Sequence, residues 1–177
     1  RGAASLMYGS DAIGGVIHIL EPNVPTTGEI KGELLSSYST NNGLTNNSIM
    51  LTGNENGFVW RGRGSYQNAH AYNTPAGRYI NSGFNNTNFS GMLGLNKQWG
   101  YSHLNFSYLK NNIGFYDAEV GDPLYGDSKS RKLDFPKQDI RHYKLALNNN
   151  FVIGGGNLKL DLGYQKNQRR ELESADP

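Results

Sequence analysis

The sequence predicts an all-β fold, part of an antiparallel transmembrane β-barrel, and three observations lead there. Long stretches alternate apolar and polar residues with a period of two, the pattern of strands with one dry and one wet face. The composition is polar on average yet aromatic. Hydrophobic residues are 36% of the 177, with 11 Tyr, 7 Phe and 23 Gly, and the mean hydropathy is -0.62. Disordered chains lack such aromatics, whereas a barrel wall with lipid on one side, water on the other and aromatic rims has both properties. The connections between stretches also alternate between short and long, as they do in outer-membrane barrels.

The chain opens with turn chemistry. Tyr8-Gly9-Ser10-Asp11 combines a residue tolerant of positive φ with two that bond their own backbone, and Gly14-Gly15 permits a second tight bend. Val16, Ile17, Ile19 and Leu20 then read as one short buried strand. Pro22 and Pro25 mark residues 22–28 as a linker, since neither supplies the donor that a central strand needs.

Residues 29–40 form the first long strand, with Ile30, Gly32, Leu34, Ser36 and Tyr38 on one face and Lys31, Glu33 and Ser37 on the other; Leu35 breaks the pattern. After a turn at Asn41-Asn42-Gly43, residues 48–53 return with Ile49 and Leu51 on one face. The strand over 58–72 is the clearest. Phe58, Trp60, Gly62, Gly64 and Tyr66 share one face, and Val59, Arg61, Arg63, Ser65 and Gln67 the other. Two arginines between aromatics do not fit a dry sandwich core, where an unpaired charge costs several kcal/mol. A wet lumen or a solvated face accepts them. The length decides, because about 15 alternating residues exceed the usual soluble strand of about 5–6 and suit a tilted spanning strand.

Similar ladders follow at Phe89, Gly91, Leu93 and Leu95; at Leu104, Phe106 and Tyr108; at Tyr143, Leu145 and Leu147; and at Leu158, Leu160, Leu162 and Tyr164. Short connections fall at 54–57, near Gly100 and at 154–156, and long ones at 73–83 and 116–138. About seven strands result, below the minimum of about eight for closure. The barrel is therefore expected to be incomplete within this chain.

Other classes are excluded. There is no Cys, so no disulfide framework or thiolate metal site. A net charge of +2 without a Lys/Arg block does not describe a nucleic-acid binder. No apolar run approaches the roughly 20 residues of a membrane helix. Tyr8 to Gly15 lacks the GK[ST] ending of a phosphate loop. No catalytic constellation emerges from spacing, so neither an enzyme nor a cofactor is expected.

Taken together, Arg1, Gly2, Ser5, Leu6, Tyr8, Gly9, Ser10, Ala12, Ile13, Gly14, Gly15, Val16, Ile17 and Ile19 resemble the end of the plug domain of TonB-dependent outer-membrane receptors. Ala3 and His18 depart from the family's usual Pro and Asn. The resemblance implies a plug end over 1–21, a linker over 22–28 and the N-terminal part of a transmembrane barrel over 29–177. It further implies an outer-membrane location and active import of a scarce nutrient: a ferric siderophore first, cobalamin or haem next. It also implies coupling to the TonB–ExbB–ExbD complex through an N-terminal box. A passive porin or adhesin barrel and a soluble β-rich binding module are the alternatives.

Candidate ligand contacts follow. In the long loop, Asp117, Glu119 and Asp122 offer oxygen atoms, and Tyr116 and Tyr125 offer stacking faces for a metal chelate or other small molecule. The acids do not follow calcium-loop spacing and basic residues follow closely, so no metal site is expected there. Arg61 and Arg63 either pair with plug carboxylates or form a basic wall that attracts anions.

Overall fold

The computed structural model describes residues 23–116 and 124–173, and among these there is no helix. The expected plug-end motif, with Arg1, Gly2, Tyr8, Gly9, Ser10, Gly14 and Gly15, lies outside the described residues, as does the expected strand at Val16–Leu20. Ten strands are described: β1 (Ile30–Ser39), β2 (Leu44–Glu55), β3 (Phe58–Ala69), β4 (Asn73–Thr74), β5 (Gly77–Tyr79), β6 (Phe84–Lys97), β7 (Gly100–Gly114), β8 (Tyr125–Gly126), β9 (Lys137–Ile153) and β10 (Gly156–Leu172). Seven form one sheet in the order β1-β2-β3-β6-β7-β9-β10, and β4-β5-β8 form a second, small one. Every pairing is antiparallel.

The seven-stranded sheet is an up-and-down meander held in register by tight turns at one end. Between β2 and β3 the turn is Asn56-Gly57, with φ of 49° and 84°. Two positive φ values in succession define the mirror-image turn whose twist matches the strands it joins, and Asn-Gly is its preferred dipeptide. Gly100 and Gly154, with φ of 123° and 60°, serve the next two turns.

Register carries the expected alternation across the whole sheet. Ile30, Gly53, Trp60, Leu93, Leu104, Leu147 and Leu162 lie in one cross-strand row. The next row toward the long loops is Gly32, Leu51, Gly62, Gly91, Phe106, Leu145 and Tyr164. Nothing among the described residues covers this face: Leu34 is 78% exposed, Leu162 56%, and Phe89 and Leu93 52%. Trp99 and Phe151 stack near the turn end, with centroids 5.6 Å apart, while Tyr108 and Tyr143 meet at 4.9 Å toward the loop end. Leucines fill most of the space between.

The opposite face is polar, and it is the better covered one. Ser48, Thr52, Val59 and Met92 on it are buried. Its amides and hydroxyls bond across strands: Gln67 Nε2 to Asn46 at 3.2 Å, Asn86 Nδ2 to Gln67 at 3.0 Å, Asn88 Nδ2 to Ser65 at 3.2 Å. Asn105 donates to Asn148 at 2.9 Å, and Asn148 to Asp161 at 2.8 Å. These bonds account for the abundance of Asn in strands, where it is ordinarily depleted.

Three expectations about bounds are corrected. The strand expected over 58–72 ends at Ala69, because His70 N–H bonds Asn42 C=O at 3.0 Å instead of continuing the ladder. β2 begins at Leu44, four residues before the alternation shows, since Thr45, Asn46 and Asn47 pair despite being polar. The turn expected over 54–57 contracts to two residues.

The linker is tied to the turn end of the sheet. Asn54 Nδ2 donates to Pro25 C=O at 2.8 Å, and Gly28 N–H to Asn54 C=O at 2.7 Å. Glu29 accepts from Thr26 N–H at 3.1 Å and pairs with Lys31 at 3.0 Å. Those bonds, first to Thr26 and then to Lys31, lower its pKa from 4.5 to about 2. The folded value lies below the unfolded one, so the contact is fully present above pH 4.5 and is lost as pH falls through about 2. A carboxyl-carbon NMR titration should place the Glu29 midpoint near 2; a midpoint at the ordinary value would remove the turn contact from the account. Gly57→Ala should lower the urea-unfolding midpoint, at a cost of at least about 1–2 kcal/mol for the left-handed backbone. The added Cβ would also meet the Asn96 carbonyl.

Candidate ligand-binding site

At the end of the sheet opposite the tight turns, two long connections fold onto each other. The first, after Ala69, contains the β4–β5 hairpin, closed by Thr74 Oγ1, which donates to Gly77 C=O at 2.8 Å. The second sends β8 to pair with β5, so that Arg78 lies opposite Gly126 and Tyr79 opposite Tyr125. Short strands of this kind carry no periodicity, and sequence reasoning did not find them.

Three donor side chains fasten the assembly. Arg78 Nη1 donates to Asn41 C=O at 3.1 Å and Ala71 C=O at 3.0 Å. Asn81 Nδ2 lies within 3.0 Å of the carbonyls of Phe115, Asp134 and Pro136. Arg131 reaches across from the second loop to donate to the carbonyls of Asn68 and Gly43. Each cation is satisfied by backbone oxygen, not by a carboxylate partner, which makes these bonds charge-assisted.

Tyr79 is the hub. Its ring stacks on Tyr72 at 5.5 Å and meets Tyr116 and Tyr125 edge-on at 6.3 and 6.1 Å. The structure thus brings together Tyr116 and Tyr125, the two aromatics that the sequence singled out, through a third that it did not. Tyr72 and Tyr125 remain 42% and 39% exposed, so part of the cluster faces outward. The alternate residues of β5 and β8, Arg78 and Gly126, line a cavity of about 230 Å³ with Asp127, Lys132 and Asp134, and none of these four tyrosines borders it. The exposed tyrosine faces can stack on a flat or chelate-like molecule, and the cavity of mixed charge offers charge-assisted bonds at a separate place on the loops.

The other candidates fall elsewhere. Asp117, Glu119 and Asp122 lie outside the described residues. Among the described residues no three His, Asp or Glu cluster as metal ligands. Arg61 and Arg63 are not part of the loop cluster; they project from the middle of β3 on the polar face. Arg63 Nε donates to Ser48 at 3.1 Å. With Lys144, Asn105 and Ser107 they line a cavity of about 300 Å³. Six residues separate Arg63 from Ala69, about 20 Å of strand. The two sets are separate.

Tyr79→Ala removes three ring contacts, each worth about 0.5–1.5 kcal/mol. Amide exchange in 70–83 and 124–136 should accelerate by roughly 10-fold or more while exchange in β7 and β9 stays unchanged. Equal exchange in loops and sheet would show that Tyr79 does not hold the loops together. No protein-family description, curated protein or solved structure matches this chain.

Proposed function

We propose that this chain is the plug-proximal part of an outer-membrane barrel that imports a scarce nutrient, and that the family resemblance of residues 1–19 assigns it to the TonB-dependent receptors. The observation that carries the proposal is the uncovered apolar face. Burying one Leu, Ile or Phe side chain is worth about 1.5–3 kcal/mol, so a face of this extent forgoes tens of kcal/mol in water. Lipid removes that deficit.

The dimensions support the reading. From Tyr143 to Phe151 the band runs eight residues along β9. That is about 26 Å of strand, or about 20 Å along the normal at a tilt of about 40°, close to the apolar band of about 25 Å in such barrels. Trp99 and Phe151 at one margin and Tyr66, Tyr108 and Tyr143 at the other stand where interfacial girdles would. Long loops at one end and tight turns at the other match the outer and periplasmic sides.

In this reading the polar face lines a passage occupied by the plug, and the tyrosine cluster presents the ligand-binding rim. The outer membrane has no ATP and no gradient of its own, so uptake requires the TonB–ExbB–ExbD partner. The ligand is a compact metal chelate, a ferric siderophore first and cobalamin or haem after it. Growth of a deletion strain on defined iron, haem and cobalamin sources identifies which one.

The class is tested by Leu162→Arg in the full-length protein. At mid-band in a bilayer it should cost about 2–4 kcal/mol of folding stability, measured by urea titration in lipid vesicles. A protein that stays in water without detergent, and tolerates the arginine, is a soluble binding module instead.

A further inference from the structure

One margin of the apolar face is strongly basic over three strands only. Beyond the Tyr108–Tyr143 pair toward the loops, Lys110 lies directly opposite Arg141, and Tyr143 opposite Lys166. Arg170 faces Asp139, and Lys137 sits one step further on beside Leu172. All of these side chains alternate with the apolar rows and so share their face. In the same cross-strand rows on β2, β3 and β6 the residues are Asn47, Tyr66 and Thr87, then Thr45, Asn68 and Asn85, none of them charged.

The charges are not balanced locally. Like charges directly opposite each other on neighbouring strands destabilise a sheet, yet Lys110 and Arg141 are paired in this way. Among the described residues Asp139 is the one carboxylate on this margin, and Arg141 holds it at 2.9 and 3.2 Å. On the opposite face of β10, by contrast, Arg169 has Glu171 at 2.6 Å. The surplus continues into the rim, where Lys137 and Asp139 line a cavity of about 470 Å³ together with Arg131 and Lys132.

We infer that this margin on β7, β9 and β10 binds the phosphate groups of a phosphorylated lipid in the surrounding leaflet, an inference that rests on the membrane reading above. Its position selects the ligand. A basic cluster that continues an apolar band just past an aromatic pair meets a molecule whose acyl chains lie on the band and whose phosphates lie level with the cations. Guanidinium groups match phosphate oxygens in a fork, and the flexible lysines supply further point charges.

The test uses the full-length protein folded into phosphatidylcholine vesicles containing either diphosphorylated lipid A or lipid A stripped of its phosphates. Lipid retained after detergent extraction is counted by native mass spectrometry. The phosphorylated form should be retained in preference, and less so at high salt. K110Q/R141Q should weaken retention by roughly 25-fold, about fivefold for each charge removed, while K110R should retain it. If K110Q/R141Q fails to insert, K166Q/R170Q on β10 carries the same comparison. Equal retention of the two lipids, or no change in the inserted variants, overturns the inference and leaves the barrel reading intact. Failure of the unsubstituted protein to enter either vesicle overturns both.

Discussion

Register is the constraint on which the rest of this structure depends. Each long strand alternates with a period of two, so a slip of one residue would send its whole apolar set to the polar face. The meander avoids that slip at each of its six pairings. Tight turns such as Asn56-Gly57 fix the pairing of neighbours, and the cross-strand amide bonds of the polar face reward only the observed alignment. Rows of Leu, Ile and Phe then line up from β1 to β10 with no second layer among the described residues to pack them.

Much of this was legible because alternation is a long-range signal. Twelve to seventeen residues of it in β3 and β9 leave little ambiguity about type or facing. What was not legible is equally instructive. β2 starts among Thr45, Asn46 and Asn47, where both faces are polar and the period vanishes although the ladder continues. β3 stops at Ala69 because the backbone of His70 is claimed by Asn42, a contact made by a loop remote in sequence.

The candidate site shows the same division. Tyr116 and Tyr125 stand out in the sequence as aromatics within a polar loop, but Tyr72 reads as the end of a strand and Tyr79 as one residue of the connection over 73–83. Only the pairing of β5 with β8 makes Tyr79 their common neighbour. The arginines of β3 were readable as residents of a polar face and are found there, about 20 Å of strand away from the tyrosines. Alternation tells which side a residue faces, not how high on the sheet its partners gather.

The small sheet β4-β5-β8 has a consequence for how such a surface can diverge. It stitches a connection that leaves β3 to one that leaves β7, Asn81 adds a further stitch between them, and Arg131 ties the second to β3 and the β1–β2 turn. The first connection has its own hairpin, but β8 completes the sheet only by pairing with it. An insertion in one shifts the other, so new specificity at this end of the protein arises by altering the two segments jointly, or by changing side chains on a frame that stays as it is.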